Sequence, residues 1–196
     1  KGDKKIKRSR IFYKNTFLPN SKLNFGENLL SKNNNEVAAT FISENGFKEK
    51  RSWSEMSKRS KKIIKFLEKI KIKKKDRIAA YMPNTIETVE AFIGSVSLGA
   101  IWSSCSPDFG TKGVIERFSQ INPKVLFITI NYFYNGKKIN IIDRLPEILK
   151  NIPSIKNVVV VNYPGQKKII KKFKLNKIKI NHWDDLMKIQ PSNVSF

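Results

Sequence analysis

The sequence contains few of the residues on which catalytic and metal sites commonly depend. Its 196 residues include one cysteine, Cys105, and one histidine, His182. A single cysteine excludes a disulfide within the chain and is typical of a protein kept in a reducing cytoplasm. A single histidine argues against a histidine-rich metal cluster or a Ser-His-Asp triad. We expect Cys105 to be a buried strand residue rather than a nucleophile, and His182 to be a polar surface residue.

Long hydrophobic segments and acidic residues are also scarce. The longest uncharged stretch begins at residue 91, is broken by serine and glycine, and is shorter than the about 20 residues that span a bilayer. We therefore expect no membrane span. The chain has 39 basic against 16 acidic residues, a net charge of +23. Lysine greatly outnumbers arginine and is spread over the whole chain, which favours compositional drift in an AT-rich genome over a specific nucleic-acid site.

Short apolar segments alternate with segments of helical periodicity. Strands are predicted at residues 37–42, 77–82, 101–105, 125–130 and 158–161, the first closed by an Asn-Gly hairpin turn. Ser52 and Glu55 match a capping box at the start of a helix. The alternation predicts an α/β fold with a mostly parallel sheet and helices on both faces, preceded by an extended N-terminal arm.

Several local features are predicted with the same reasoning. Asn84 with Glu87 is expected to cap the second helix, and the buried stripe of that helix is expected at Val89, Phe92, Ile93 and Val96. Its glycines are expected to let it pack closely on the sheet. Residues 139–151 are expected to be helical, with Pro146 a flaw or a boundary between two short helices.

The last and first parts of the chain give weaker patterns. Residues 166–179 are rich in lysine, residues 178–180 are expected to form a short strand, and Asn181 is a candidate cap for a helix that begins at Trp183. Residues 1–31 show no sustained period. Their scattered aromatic and apolar side chains are expected to pin this arm onto a larger body.

Two loops are expected at the same edge of the sheet. Ligands of open α/β sheets bind outside the carboxyl ends of the strands. Residues 104–110 and 131–137 both follow strands, and the second loop contains Tyr134, Gly136 and Lys137. Aromatic and basic side chains beside a glycine can stack on an adenine and hold a phosphate. The alternative is two ordinary connecting loops. The sequence has neither of the common glycine-rich phosphate-binding motifs.

Three segments carry a resemblance to a known family. They are Tyr-Met-Pro-Asn at 81–84, Ala-Ile-Trp-Ser-Ser-Cys-Ser-Pro-Asp-Phe-Gly at 100–110, and Tyr-Asn-Gly-Lys at 134–137. Together they resemble the acyl-adenylate-forming superfamily and, within it, the acetoacetyl-CoA synthetases. The resemblance implies that residues 1–31 form the arm of such enzymes. It also implies that residues 32–196 form the first part of the AMP-binding domain. Lys75 stands where a glycine commonly precedes Asp-Arg.

The resemblance also implies chemistry. Such enzymes activate an acid with ATP and Mg²⁺ to an acyl-AMP and then pass the acyl group to CoA. Family CoA contacts correspond to Ser106, Pro107, Asp108, Tyr134, Gly136 and Lys137. The phosphate loop, the acyl pocket and the catalytic residues are expected downstream of Phe196. The segment alone is therefore expected to be inactive and to bind no cofactor through its own motifs.

Three functions remain open at this stage. The first is the N-terminal part of a cytoplasmic acetoacetate–CoA ligase whose small-molecule substrates are acetoacetate, ATP and CoA. The second is a synthetase of the same superfamily that uses another short acid. The third is a basic binding module without enzymatic activity, which would bind nucleic acid or an acidic surface with a steep dependence on salt.

Overall fold

The computed structural model describes residues 5–166 and 178–194. The short N-terminal elements are β1 (Ile6–Lys7), β2 (Thr16–Phe17) and α1 (Phe25–Leu29). The elements that follow are β3 (Val37–Ile42), β4 (Lys48–Ser52), α2 (Trp53–Lys69), β5 (Arg77–Tyr81), α3 (Ile86–Ser97), β6 (Ile101–Cys105), α4 (Thr111–Ile121) and β7 (Val125–Thr129). The remainder are β8 (Asn131–Tyr134), β9 (Lys137–Asn140), α5 (Leu145–Asn151), β10 (Asn157–Val161), β11 (Lys179–His182) and α6 (Trp183–Leu186).

A five-stranded sheet in the order β11-β10-β7-β5-β6 organises the described part of the chain. All of its neighbouring strands pair in parallel. Because every strand runs the same way, the carboxyl ends of β5, β6, β7 and β10 meet at one edge. The predicted fold class, a parallel sheet within an α/β fold, is confirmed.

Helices cover both faces of this sheet. Side chains of the central strands alternate between two buried clusters, as the period of a strand requires. One cluster joins alternate strand residues to α4 and α5. The other joins the opposite strand residues to α2, α3 and α6. Strands buried on both faces read as continuous apolar runs, which is why β7 and β10 were visible in the sequence.

Helix α2 begins as predicted, because Ser52 and Glu55 form a complete capping box. The turn that follows it places two lysines in the left-handed region, Lys71 at φ 61° and Lys75 at φ 71°. Lys75 is the position at which the family resemblance implies a glycine. A side chain in this conformation costs about 1–2 kcal/mol that a glycine avoids. The departure from the family pattern therefore falls on a strained backbone position.

Helix α3 differs from its prediction at the start and along one side. Thr85, not Asn84, occupies the N-cap position, and no side chain makes a capping hydrogen bond there. Val89 was expected to be buried, but its side chain is exposed, whereas Glu87 and Glu90 are buried. The helix is rotated relative to the prediction, and Glu90 faces Arg51 of β4 and Arg59 of α2.

The segment after β7 was assigned incorrectly from the sequence. Residues 131–140 form an antiparallel hairpin, β8–β9, rather than a loop followed by the start of a helix. Pro146 lies in the first turn of α5, directly after a 3₁₀ turn at Ile142–Arg144. Pro146 therefore marks a boundary between two short helical segments, one of the two alternatives predicted from the sequence. Proline is favoured there because its missing N–H is not needed.

The N-terminal arm contains more local structure than predicted. Strands β1 and β2 pair with each other, and Asn24 caps α1. Phe12, Tyr13 and Phe17 are largely exposed, so within the described chain they do not pin the arm onto the body. Phe25 comes closest to that expectation, with its ring centroid 5.8 Å from that of Phe92 on α3.

The C-terminal part follows its prediction with small shifts. Residues 167–177, which hold most of the lysine-rich tail, lie outside the described residues. The short strand expected at 178–180 is β11, which pairs with β10. Asn181 is not the cap of α6: its amide donates a hydrogen bond to Val158 O, while His182 takes the N-cap position. His182 is half-buried in this arrangement rather than a plain surface residue.

Candidate functional site

A cleft of about 530 Å³ lies at the carboxyl edge of the sheet. Its walls come from the β3–β4 hairpin, the segments after β5 and β6, the strand β8, and the segment after β10. The lining residues are Thr40, Phe41, Ile42, Ser43, Glu44, Met82, Pro83, Asn84, Thr88, Ser104, Cys105, Ser106, Pro107, Asp108, Tyr132, Phe133, Tyr134 and Tyr163. Four of the six residues proposed to contact CoA, namely Ser106, Pro107, Asp108 and Tyr134, are among them.

The loop after β6 is held in one conformation by hydrogen bonds to Asp108. The Ser106 hydroxyl donates to Asp108 Oδ2 at 2.7 Å, and the Tyr132 hydroxyl donates to Oδ1 at 2.7 Å. These donors lower the pKa of Asp108. Burial, together with the neighbouring carboxylate, raises the pKa of Tyr132 to about 12. Asp108 is therefore a carboxylate with both oxygens engaged, and it fixes the loop as well as facing the cleft.

A buried tyrosine and an arginine hold the same loop through hydrogen bonds to its backbone carbonyl groups. The Tyr81 hydroxyl lies 3.1 Å from Pro107 O and 2.5 Å from Phe109 O. Arg144 Nη1 donates to the Tyr81 hydroxyl and to Phe109 O, the latter at 2.9 Å. Burial raises the pKa of Tyr81, although the nearby guanidinium opposes that shift. The carbonyl groups of Pro107 and Phe109 thus accept hydrogen bonds from within the protein.

The turn between β8 and β9 carries the other predicted contacts. Asn135 and Gly136 both have positive φ, at 50° and 69°, as in the two-residue turns that match the twist of a hairpin. Tyr134 is 57% exposed, so its ring face is available for stacking. Gly136 N donates to Glu44 Oε2 at 3.3 Å. Lys137 is exposed and stands opposite Tyr134 in the hairpin, but it does not line the cleft.

The sequence did not predict that the β3–β4 hairpin forms one wall of the cleft. The Tyr163 hydroxyl donates to Ser43 Oγ at 3.1 Å across a separation of 120 residues. The Tyr163 ring also lies 5.9 Å from that of Phe41 and 5.5 Å from that of Phe133. These contacts depend on distant parts of the chain, so no local signal marks them. Arg144 was missed for the same reason.

The cysteine among the cleft-lining residues is Cys105. Cys105 is buried at the end of β6, and burial raises the pKa of its thiol. This confirms the prediction of a buried strand cysteine.

In the ranges 5–166 and 178–194, no group of three or more His, Cys, Asp or Glu side chains is arranged to hold a metal ion. Within those ranges, no helix has the length and apolar character needed to cross a membrane.

Comparisons with known proteins bear on the same segments. A family model described as AMP-binding enzyme matches residues 28–192. The chain is 39% identical over 152 residues to the acetoacetyl-CoA synthetase of Macaca fascicularis, which covers 76% of this chain and 23% of that protein. It is 32% identical over 147 residues to the malonamoyl-CoA synthetase of Penicillium aethiopicum, covering 72% of this chain and 20% of that protein.

A solved structure shares the fold. The acetoacetyl-CoA synthetase from Streptomyces lividans superposes with a TM-score of 0.80 at 24% sequence identity, covering 93% of this chain and 27% of that one. The chain thus spans about a quarter of the length of the proteins it matches. The family match extends over most of the chain and includes every strand of the parallel sheet. The chain therefore belongs to the AMP-binding enzyme family.

Proposed function

We propose that the protein carrying this chain is an acetoacetate–CoA ligase. Its acid would attack ATP to form acetoacetyl-AMP and pyrophosphate, and the thiol of CoA would then displace AMP. The observation that carries the proposal is the 39% identity to an acetoacetyl-CoA synthetase over 152 residues. AMP-binding enzymes in general use ATP, Mg²⁺ and CoA. We place the enzyme in the cytoplasm.

The proposal assigns residues 32–196 to the first part of the AMP-binding domain and residues 1–31 to its arm. ATP and Mg²⁺ would bind through residues outside this chain, because a triphosphate needs a preorganised set of donors and cations. This chain would contribute to CoA binding. Tyr134 offers an exposed ring for the adenine, and Lys137 offers a cation for a phosphate at the rim of the cleft.

The choice of acid is tested by comparing substrates in the full-length enzyme. Acid-dependent release of pyrophosphate would be measured with acetoacetate, acetate and malonamate. We expect the highest kcat/KM with acetoacetate. A higher value for either of the other acids would replace this proposal with another short-acid synthetase of the family.

Malonamate is included because of a specific observation. The malonamoyl-CoA synthetase from Penicillium aethiopicum is 32% identical to this chain over 147 residues. Malonamate differs from acetoacetate only in bearing an amide NH₂ in place of a methyl group. An apolar acyl pocket would discriminate only weakly against the amide, whereas a pocket with hydrogen-bond partners for the amide would reject acetoacetate. That pocket is expected outside this chain.

The CoA assignment predicts a split effect for Lys137→Glu. A charge-assisted contact to phosphate contributes about 1.5–3 kcal/mol, so reversal of this charge should raise the KM for CoA about tenfold or more. The acetoacetate-dependent release of pyrophosphate, measured without CoA, should change much less. Lys65→Glu, an equal charge change on the exposed side of α2, is the matched control. An unchanged KM for CoA in Lys137→Glu would place the CoA phosphates elsewhere.

A further inference from the structure

Glu44 makes a contact that neither the fold nor the proposed chemistry requires. It lies in the turn of the β3–β4 hairpin and lines the cleft. Its Oε2 accepts a hydrogen bond from Gly136 N at 3.3 Å, across a sequence separation of 92 residues. Both groups are exposed, so the contact contributes little to the stability of the fold.

The donor in this contact has a special position. In the two-residue turn of β8–β9, the backbone N–H of Gly136 takes no part in the ladder, whose terminal pair is Tyr134 with Lys137. An N–H that projects from such a turn is a receptor for an anion, especially beside a lysine. In this structure the anion on that receptor is the carboxylate of Glu44.

We propose that Glu44 acts as an internal anion that competes with a phosphate group of CoA for Gly136 N–H and the adjacent Lys137. The inference rests on the proposed CoA site. A phosphate cannot take the same donor while the carboxylate remains, and two anions at such a distance repel each other. Glu44 therefore weakens the binding of the nucleotide part of CoA, because a phosphate must first displace the carboxylate from Gly136 N–H.

Two substitutions separate the charge from the hydrogen bond. Glu44→Gln keeps an oxygen that can accept from Gly136 N and removes only the charge. Glu44→Ala removes both. We expect each to lower the KM for CoA by about three- to tenfold, with the greater fall for alanine because the donor is then free. The control is Glu36→Gln, the same charge change in an exposed residue at the far end of the same hairpin, for which we expect no change in the KM for CoA.

A second acyl acceptor shows whether the effect acts on phosphate. Pantetheine carries the thiol of CoA without its nucleotide and phosphates. We expect the KM for pantetheine to be the same in the parent enzyme and both Glu44 variants. An equal improvement for pantetheine and CoA would overturn the inference, because the substitutions would then act on the thiol end or on the general shape of the cleft.

The outcome with Lys137→Glu distinguishes an error in the proposed competition from an error in the proposed CoA site. If that variant raises the KM for CoA while the Glu44 variants leave it unchanged or raise it, the competition is wrong and the CoA site stands. If none of the three variants changes the KM for CoA, the CoA site itself is wrong. Thermal unfolding of each variant would show that the comparison is made between folded proteins.

Discussion

At pH 8, where its carboxylate is ionised, replacement of Glu90 with alanine is expected to destabilise the fold by about 3–5 kcal/mol, the usual cost of removing one partner from a buried ion pair. Glu90 lies on α3 and is completely buried. Its Oε1 is 3.0 Å from Arg51 Nε on β4 and 2.7 Å from Arg59 Nε on α2. Without the carboxylate, the buried guanidinium of Arg51 would lose the partner that joins β4 to α3, although its contact with Glu49 would remain.

Glu90 should also give the fold a measurable dependence on pH. Burial raises its pKa from 4.5 to about 7, while the two arginines oppose this shift. The folded state then binds the proton more tightly than the unfolded state between these values. The extra stability that proton binding by Glu90 gives the folded state is therefore fully present below pH 4.5 and is lost as the pH rises through about 7.

The variant Glu90→Gln isolates this effect because it cannot titrate. The free energy of unfolding would be measured by urea denaturation at pH 5 and pH 8 for the parent chain and the variant. We expect the parent chain to lose more stability than the variant between the two pH values. Glu116→Gln, on the exposed side of α4, should behave like the parent. The same pH dependence in parent and Glu90→Gln would show that Glu90 does not titrate in this window.

Glu90 also shows where reasoning from the sequence fails. The strands of the parallel sheet, the Asn-Gly hairpin turn and the capping box of α2 were predicted correctly, because each depends on residues close together in the chain. The orientation of α3 was not, because it depends on Arg51 and Arg59, which come from other elements. An acidic residue in a helix is expected to face solvent, and only the three-dimensional arrangement shows that this one meets two arginines.

The candidate site was likewise predicted from the sequence only where it depends on local patterns. The loop after β6 could be placed at the ligand edge because the order of strands and helices fixes where a parallel strand ends. The β8–β9 hairpin was predicted as a loop and the start of a helix, since its three consecutive aromatic residues and two lysines show no strict alternation. The contacts from Tyr163 to Ser43 and from Arg144 to Tyr81 join distant segments, and no local pattern contains them.

Gly94 was predicted to allow close packing, and the prediction was right about the residue but wrong about its partner. The close neighbour is helix α2, not the sheet. An added Cβ at Gly94 would lie 2.7 Å from Ile63 Cβ and 3.0 Å from Ser60 O. Both atoms belong to the first part of a rigid side chain or to the backbone of α2, so neither can move aside without a shift of the whole helix.

We expect Gly94→Leu to destabilise the fold by about 1–3 kcal/mol or more through overpacking of the α2–α3 contact. The comparison of alanine variants makes the test sharper. In a helix interior, glycine to alanine normally stabilises by about 1 kcal/mol. Gly94→Ala should nevertheless destabilise, because the added Cβ itself overlaps Ile63.

Gly113 provides the matched control on α4. An added Cβ there meets only Phe109 Cδ1, at 3.4 Å, so Gly113→Ala should raise the free energy of unfolding by up to about 1 kcal/mol. The three variants would be compared by urea denaturation with the m-value monitored. If Gly94→Ala stabilised the chain as Gly113→Ala does, α2 and α3 would be free to separate, and the close contact at Ile63 would not limit the size of the residue at position 94.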